Sequence, residues 1–271
     1  MKYVFASMLL VSGGMAHALS CTNLPVGATA LGYTTQVFYD QPQLTEVSAT
    51  DLDSTSKWYP GSFTASVAQN LAARELLSLQ DSELTLSLGG SVSSETRASK
   101  AGGIPLLSGA QGFYVEIAMH LSTNDSDHFS GLFLQTAEHD LAKNDHLSTD
   151  PAGYERWTEI DISEGGYGTG SLATVINWEG IYPHYTSQVL NSWGATHDET
   201  LNWTTEHRYG VSYDPITNVL QWYVDDVPTF KATPDAAVMK QFHYFLEMGA
   251  GSHGSHTPYD MYVHYVAAYT K

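Results

Sequence analysis

Two-residue alternation bounded by turn-forming residues limits this chain more than any other feature of its sequence. Between residues 112 and 120, Phe113, Val115, Ile117 and Met119 fall on one side, while Tyr114, Glu116, Ala118 and His120 fall on the other. Side chains that switch sides at every step describe a half-buried β-strand and exclude an amphipathic helix, whose apolar positions recur every three or four residues. Val219 to Val224 alternates in the same way after the turn signal Asp214-Pro215-Ile216-Thr217-Asn218, so it forms a hairpin with the segment 208–213. It ends at Asp225-Asp226, a pair that tolerates the left-handed backbone of a tight hairpin turn. Further strands are expected at 83–88, 131–135, 157–164, 172–178, 242–248 and 261–269. So many short strands at this spacing imply an all-β fold, two packed sheets forming a β-sandwich. A short helix is expected over 66–78, and a rim loop over 124–153 around the strand it contains.

The 271 residues include 23 Gly, 17 Tyr and 6 Trp but only 15% charged side chains, a balance that favours strands and turns over helices. No repeat, low-complexity tract or Pro-rich linker interrupts the chain, so residues 19–271 read as a single domain. Residues 1–18 read as a secretory signal peptide: Lys2, then an apolar run, then Ala16-His17-Ala18 for cleavage. The run is shorter than a bilayer needs, so a secreted protein with no membrane contact after cleavage is expected. The only cysteine, Cys21, allows no internal disulfide, which leaves core burial as the source of stability. A formal net charge of −18, from 11 Lys plus Arg against 29 Asp plus Glu, argues against nucleic acid and against a polyanionic sugar. A monomer acting on a neutral polymer is the expectation.

The chemically informative window is Trp157-Thr158-Glu159-Ile160-Asp161-Ile162-Ser163-Glu164. Alternation sends Ile160 and Ile162 into a core and turns Trp157, Glu159 and Asp161 to the opposite face. Strict alternation would bring Ser163 to that face in place of Glu164, so convergence of all three acids requires a one-residue bulge at Ile162-Ser163. Four strand steps span ~13 Å. Two glutamates leaning together can close this to the roughly 5–5.5 Å of a retaining glycosidase pair. Three neighbouring carboxylates cannot all ionise freely, so at least one keeps its proton near neutrality, the proton that a leaving glycosidic oxygen needs.

At these residues the chain resembles glycoside hydrolase family 16, whose signature in its bulged form is Glu-x-Asp-x-x-Glu. The resemblance implies a concanavalin A-like jelly roll, with Glu159 as nucleophile, Asp161 assisting and Glu164 as acid/base. Gly112-Phe113-Tyr114-Val115-Glu116, Tyr209-Gly210-Val211, Trp222-Tyr223-Val224-Asp225 and Met261-Tyr262-Val263-His264-Tyr265-Val266 are similar to other family segments, in the same order. The implied activity is that of a retaining endo-β-glucanase acting on β-1,3 or mixed β-1,3/1,4 glucans, closer to the laminarinase-like branch than to the xyloglucan branch. Three departures stand out. Phe129-Ser130-Gly131-Leu132-Phe133 replaces a Trp-rich strand, Asn177 stands where many members have His, and His264 stands where the closing strand often carries a calcium-binding Asp. No cofactor or metal is therefore carried over.

Sugars stack on aromatic faces, which makes Trp157, Trp178, Tyr182 and Phe133 candidate substrate contacts, with His184 a candidate for hydroxyl contacts. Trp193 is a weaker candidate, and Trp222 suits the core equally well. The 12 His residues, including His253 and His256, show no zinc-ligand spacing, and there is no nucleophile elbow or phosphate loop. Two alternatives keep the same fold: a transglycosylase using the same acids, and a non-catalytic lectin, against which the intact acid trio argues. A polysaccharide lyase ranks last, because it wants basic subsites.

Overall fold

The structure is a computed structural model describing residues 24–50, 56–61, 67–96, 100–101, 104–125, 128–139, 145–166, 170–189, 201–252 and 257–271. The expected signal peptide, Cys21, Trp193, His253 and His256 lie outside the described residues. In chain order the described strands are β1 (Thr35–Asp40), β2 (Tyr59–Pro60), β3 (Leu77–Gln80), β4 (Glu83–Ser87), β5 (Ser91–Ser93), β6 (Glu95–Thr96) and β7 (Lys100–Ala101). They continue with β8 (Leu107–Ser108), β9 (Phe113–Leu121), β10 (His128–Thr136), β11 (Tyr154–Glu164), β12 (Leu172–Ile181) and β13 (His184–Val189). The last five are β14 (His207–Asp214), β15 (Val219–Val224), β16 (Val227–Ala232), β17 (His243–Ser252) and β18 (Asp260–Thr270). Helices are few and short: α1 (Val26–Ala30), α2 (Val67–Arg74) and α3 (Ala236–Gln241).

Two large antiparallel sheets result. The front sheet runs β13-β12-β11-β10-β17-β5-β2 with β8 also on β17, and the back sheet runs β16-β15-β14-β9-β18-β4-β3 with β1 also on β18. Neighbours such as β10 and β17, or β9 and β18, are distant in sequence, so long crossovers build both sheets in the manner of a jelly roll. The main core lies between them. Phe113, Val115, Ile117, Val211 and Trp222 from the back sheet meet Leu132, Leu134, Ile160, Ile162, Val175 and Leu246 from the front. Each such side chain contributes roughly 1.5–3 kcal/mol by leaving water.

Three expectations change in detail. The outward face of β9 is buried too: Tyr114 and Ala118 are fully covered, and Glu116 is 2% exposed. A second apolar cluster of Ala28, Tyr33, Tyr114, Tyr223, Ala267 and Tyr269 closes over this face, so β9 is a central strand covered on both sides. The helix expected over 66–78 stops at Arg74, because Leu77 and Ser78 pair with Leu86 and Thr85 of β4. The strand within the 124–153 loop extends beyond 131–135 to His128–Thr136, since its whole length pairs with β17. The Asp225-Asp226 turn has the expected form, with φ of +49° and +66° joining β15 to β16.

Candidate active site

Ile160 and Ile162 enter the core, which turns the intervening acids to the outer face of the front sheet. The register then shifts where the sequence requires it. Leu132 of β10 faces Ser163 while Phe133 faces Asp161, leaving Ile162 unmatched. On the other flank Asp161 pairs with Thr174 and Glu164 with Leu172, three steps of β11 against two of β12. The bulge places Glu164 on the face that carries Glu159 and Asp161. Two contacts hold it from behind: the Trp222 indole N–H donates to the Asp161 carbonyl at 2.8 Å, and the Ser163 and Ser171 hydroxyls meet at 2.6 Å. Gly165 follows immediately, its N–H donating to the Ser130 carbonyl at 3.0 Å. A Cβ at Gly165 would lie 2.1 Å from the His128 ring, so no larger residue fits there without moving that ring.

The acids sit within a set of cross-strand rows. Thr174, Asp161, Phe133, Glu247 and Ser93 make one row from β12 to β5. Leu172, Glu164, Gly131, Gly249 and Ser91 make the next. Beside Glu164 the small residues leave a trough of about 210 Å³ lined by Ser91, Phe129, Gly131, Phe133, Gly249 and Gly251. Asp161 is 1% exposed and accepts a hydrogen bond from the Thr174 hydroxyl. Burial, reinforced by the charges of Glu164 and Glu159, pushes its carboxyl well above the usual carboxylate range. Burial first and the charge of Glu159 second push Glu164 up to about 7. The site thus offers a carboxylic acid that still holds its proton near neutrality, next to further carboxylates.

The aromatic candidates separate into groups. Trp157 and Trp178 sit opposite each other on β11 and β12 with rings 5.8 Å apart and 9° from parallel. His139 stacks on Trp157 at 3.8 Å, so part of that indole surface is already covered. Tyr185 meets Trp157 edge-on at 4.7 Å and reaches Tyr182, which is 75% exposed, at 6.2 Å. His184 is exposed on β13 opposite Ile181. Phe133 stands apart from this cluster, on the trough side of Asp161. Trp222 is 1% exposed in the core. Asn177 accepts from the Thr158 hydroxyl at 3.0 Å on the face opposite the acids, and on the acids' own face Ile176 takes the place beside Glu159. Sequence reasoning passed over Glu247, His139 and Tyr185. Glu247 alone carried a readable signal, an acid alternating with Leu246 and Met248 in a strand, the same pattern that marks Glu159.

The resemblance raised calcium at the closing strand. There His264 lies 2.7 Å from Glu206, and the two converge with Glu83 within 4.8 Å. Calcium takes oxygen ligands, and an imidazole nitrogen in a set of three does not suit it.

No family model matches the chain, and no curated protein matches it either. Solved structures do. One, described as arising from work on endo-acting O-glycanases of the human gut microbiota that initiate mucin breakdown, is 16% identical with a TM-score of 0.54, covering 88% of this chain and 100% of its own. A LamA variant from Z. galactanivorans in complex with laminaritriose and laminaritetraose is 13% identical with a TM-score of 0.53, over 88% and 100%. LamAcat from Zobellia galactanivorans is 14% identical with a TM-score of 0.51, over 88% and 98%. At these identities the likeness establishes the fold: this chain is a β-sandwich of the jelly-roll type shared with these carbohydrate-active proteins.

Proposed function

We propose that this protein is a secreted glycoside hydrolase that cleaves a neutral β-glucan, β-1,3 or mixed β-1,3/1,4, internally and with retention of anomeric configuration. The observation that carries the reading is the bulge that turns Glu164 to the face of Glu159 and Asp161, where burial and the Glu159 charge push its carboxyl up to about 7. In the first step a Glu159 carboxylate oxygen bonds to the anomeric carbon. The glycosidic C–O bond breaks, its electron pair leaves with the oxygen, and that oxygen takes the Glu164 proton. In the second, Glu164, now a carboxylate, removes a proton from water, whose oxygen attacks the anomeric carbon and releases Glu159. Asp161, whose carboxyl is pushed well above the usual range by burial between the two, limits the charge that either must tolerate. The fold shared with a protein solved in complex with laminaritriose and laminaritetraose supports the choice of substrate.

The test is reducing-sugar release from laminarin, lichenan, xyloglucan, agarose and mucin O-glycans by wild type and Glu159→Gln. Release from laminarin or lichenan is expected, with a loss of at least about 10³-fold in the variant, the scale at which removing a catalytic group acts. Binding of a glucan without release of reducing ends would reject hydrolysis. Formation of longer oligosaccharides when the glucan donor is mixed with an oligosaccharide acceptor, without a matching gain in reducing ends, would assign the same residues to transglycosylation.

A further inference from the structure

Next to the acid strand, and not used by the proposed chemistry, His139, Asp145 and Glu155 bring an imidazole nitrogen and two carboxylate oxygens within 4.8 Å of one another. Asp145 is 2% exposed, and its only ion-pair partner among the described residues is His139, at 2.5 Å. Glu155 forms no ion pair with Lys or Arg among the described residues, and it accepts a hydrogen bond from the Tyr185 hydroxyl. Arg156 follows Glu155 in sequence, but alternation turns it to the other face of the sheet, where it pairs with Asp150 and Glu179. Two carboxylates, one of them removed from water, therefore face each other with a single imidazole to offset them, an arrangement that is costly without a cation.

We infer that His139, Asp145 and Glu155 form a divalent transition-metal site of the zinc class. One imidazole and two carboxylates make a borderline donor set, the kind that takes zinc or cobalt with water completing a tetrahedron. Ligand atoms around such an ion, with bonds of about 2.1 Å, sit roughly 3.4 Å apart. His139 and Asp145 are closer than this, and Glu155 lies within 4.8 Å of both, a range that side-chain rotation can adjust. The ion would fix the chain at His139 and Asp145 to β11 through Glu155, and it would hold the His139 ring on Trp157, two residues from Glu159. The Glu83–Glu206–His264 group is chemically similar but more open, with Glu206 exposed, and serves as the internal control.

The experiment is titration of tag-free full-length protein with Zn²⁺ by calorimetry and with Co²⁺ by visible absorption, comparing wild type, His139→Ala, Glu155→Gln and Glu206→Gln. One equivalent is expected to bind to wild type and to Glu206→Gln, with tetrahedral cobalt bands, and affinity is expected to fall at least about tenfold in His139→Ala and Glu155→Gln. Near-UV circular dichroism reports whether each variant is folded, and two independent ligand variants guard against the failure of either one. Absence of stoichiometric binding to wild type, binding unchanged in a folded His139→Ala, or binding lost in Glu206→Gln would each overturn the assignment.

Discussion

Glu164 stands where two effects act in the same direction. Partial burial disfavours its charged form, and the Glu159 carboxylate repels a second negative charge, so the group reaches about 7. Between about 4.5 and 7 the folded protein then binds more protons than the unfolded chain. This contribution to stability is full below the unfolded value and is lost as pH rises through the folded one. Its size is at most about 3 kcal/mol. Thermal unfolding should therefore show a lower Tm at pH 8 than at pH 5, with a shallower slope for Glu164→Gln, and equal slopes would contradict the raised value. If the proposed hydrolysis holds, a pH–rate profile should lose activity on its alkaline side near pH 7 as this proton is lost. The three acids were legible from the sequence because alternation and one bulge are local properties. Glu247, His139 and Tyr185 were harder to see, because each takes its place from a partner that the local pattern does not name: Phe133 across the β10–β17 ladder, Asp145 beside the acid strand, and Trp157 across β12.

At the scale of elements, the bulge in β11 is the feature on which the site depends, and the back sheet helps to hold it. Trp222 lies in the core, and its indole N–H meets the Asp161 carbonyl beside the extra residue. Trp222→Phe keeps most of the apolar contact and removes this hydrogen bond. Stability should fall by about 1–3 kcal/mol, the cost of leaving a buried carbonyl unpaired. The proposed hydrolysis should lose kcat more than it changes KM. Denaturant titration with steady-state kinetics measures both, and unchanged kcat would show that the bulge holds without this bond. Strands whose apolar residues alternate with polar ones over a full face, such as the acid strand β11 and β15, announce themselves in the sequence. Strands at sheet margins do not. β13 is exposed at five of its six positions and carries no apolar rhythm, so only pairing with β12 makes it a strand. β3 alternates, Leu77 and Leu79 against Ser78 and Gln80, but over only four residues, three of them exposed, and pairing with β4 is what fixes it.

For the whole molecule, two sheets around one core give the acid strand a rigid back and leave its other face open. Ile160, Ile162 and Trp222 fasten β11 from within, while Glu159, Asp161 and Glu164 share the outer face with a glycine-floored trough on one side and an aromatic cluster on the other. The sandwich followed from counting strands. The cover over the back sheet did not, because Tyr33 reaches the Tyr213 carbonyl and α1 meets Tyr223 only once the chain has folded back on itself. The central claim is that the paired glutamates act by double displacement. Proton NMR of the first sugar released from the glucan the protein cleaves tests it most directly: the new reducing end should appear in the β configuration before it mutarotates, and an initial α anomer would show inversion and contradict the account.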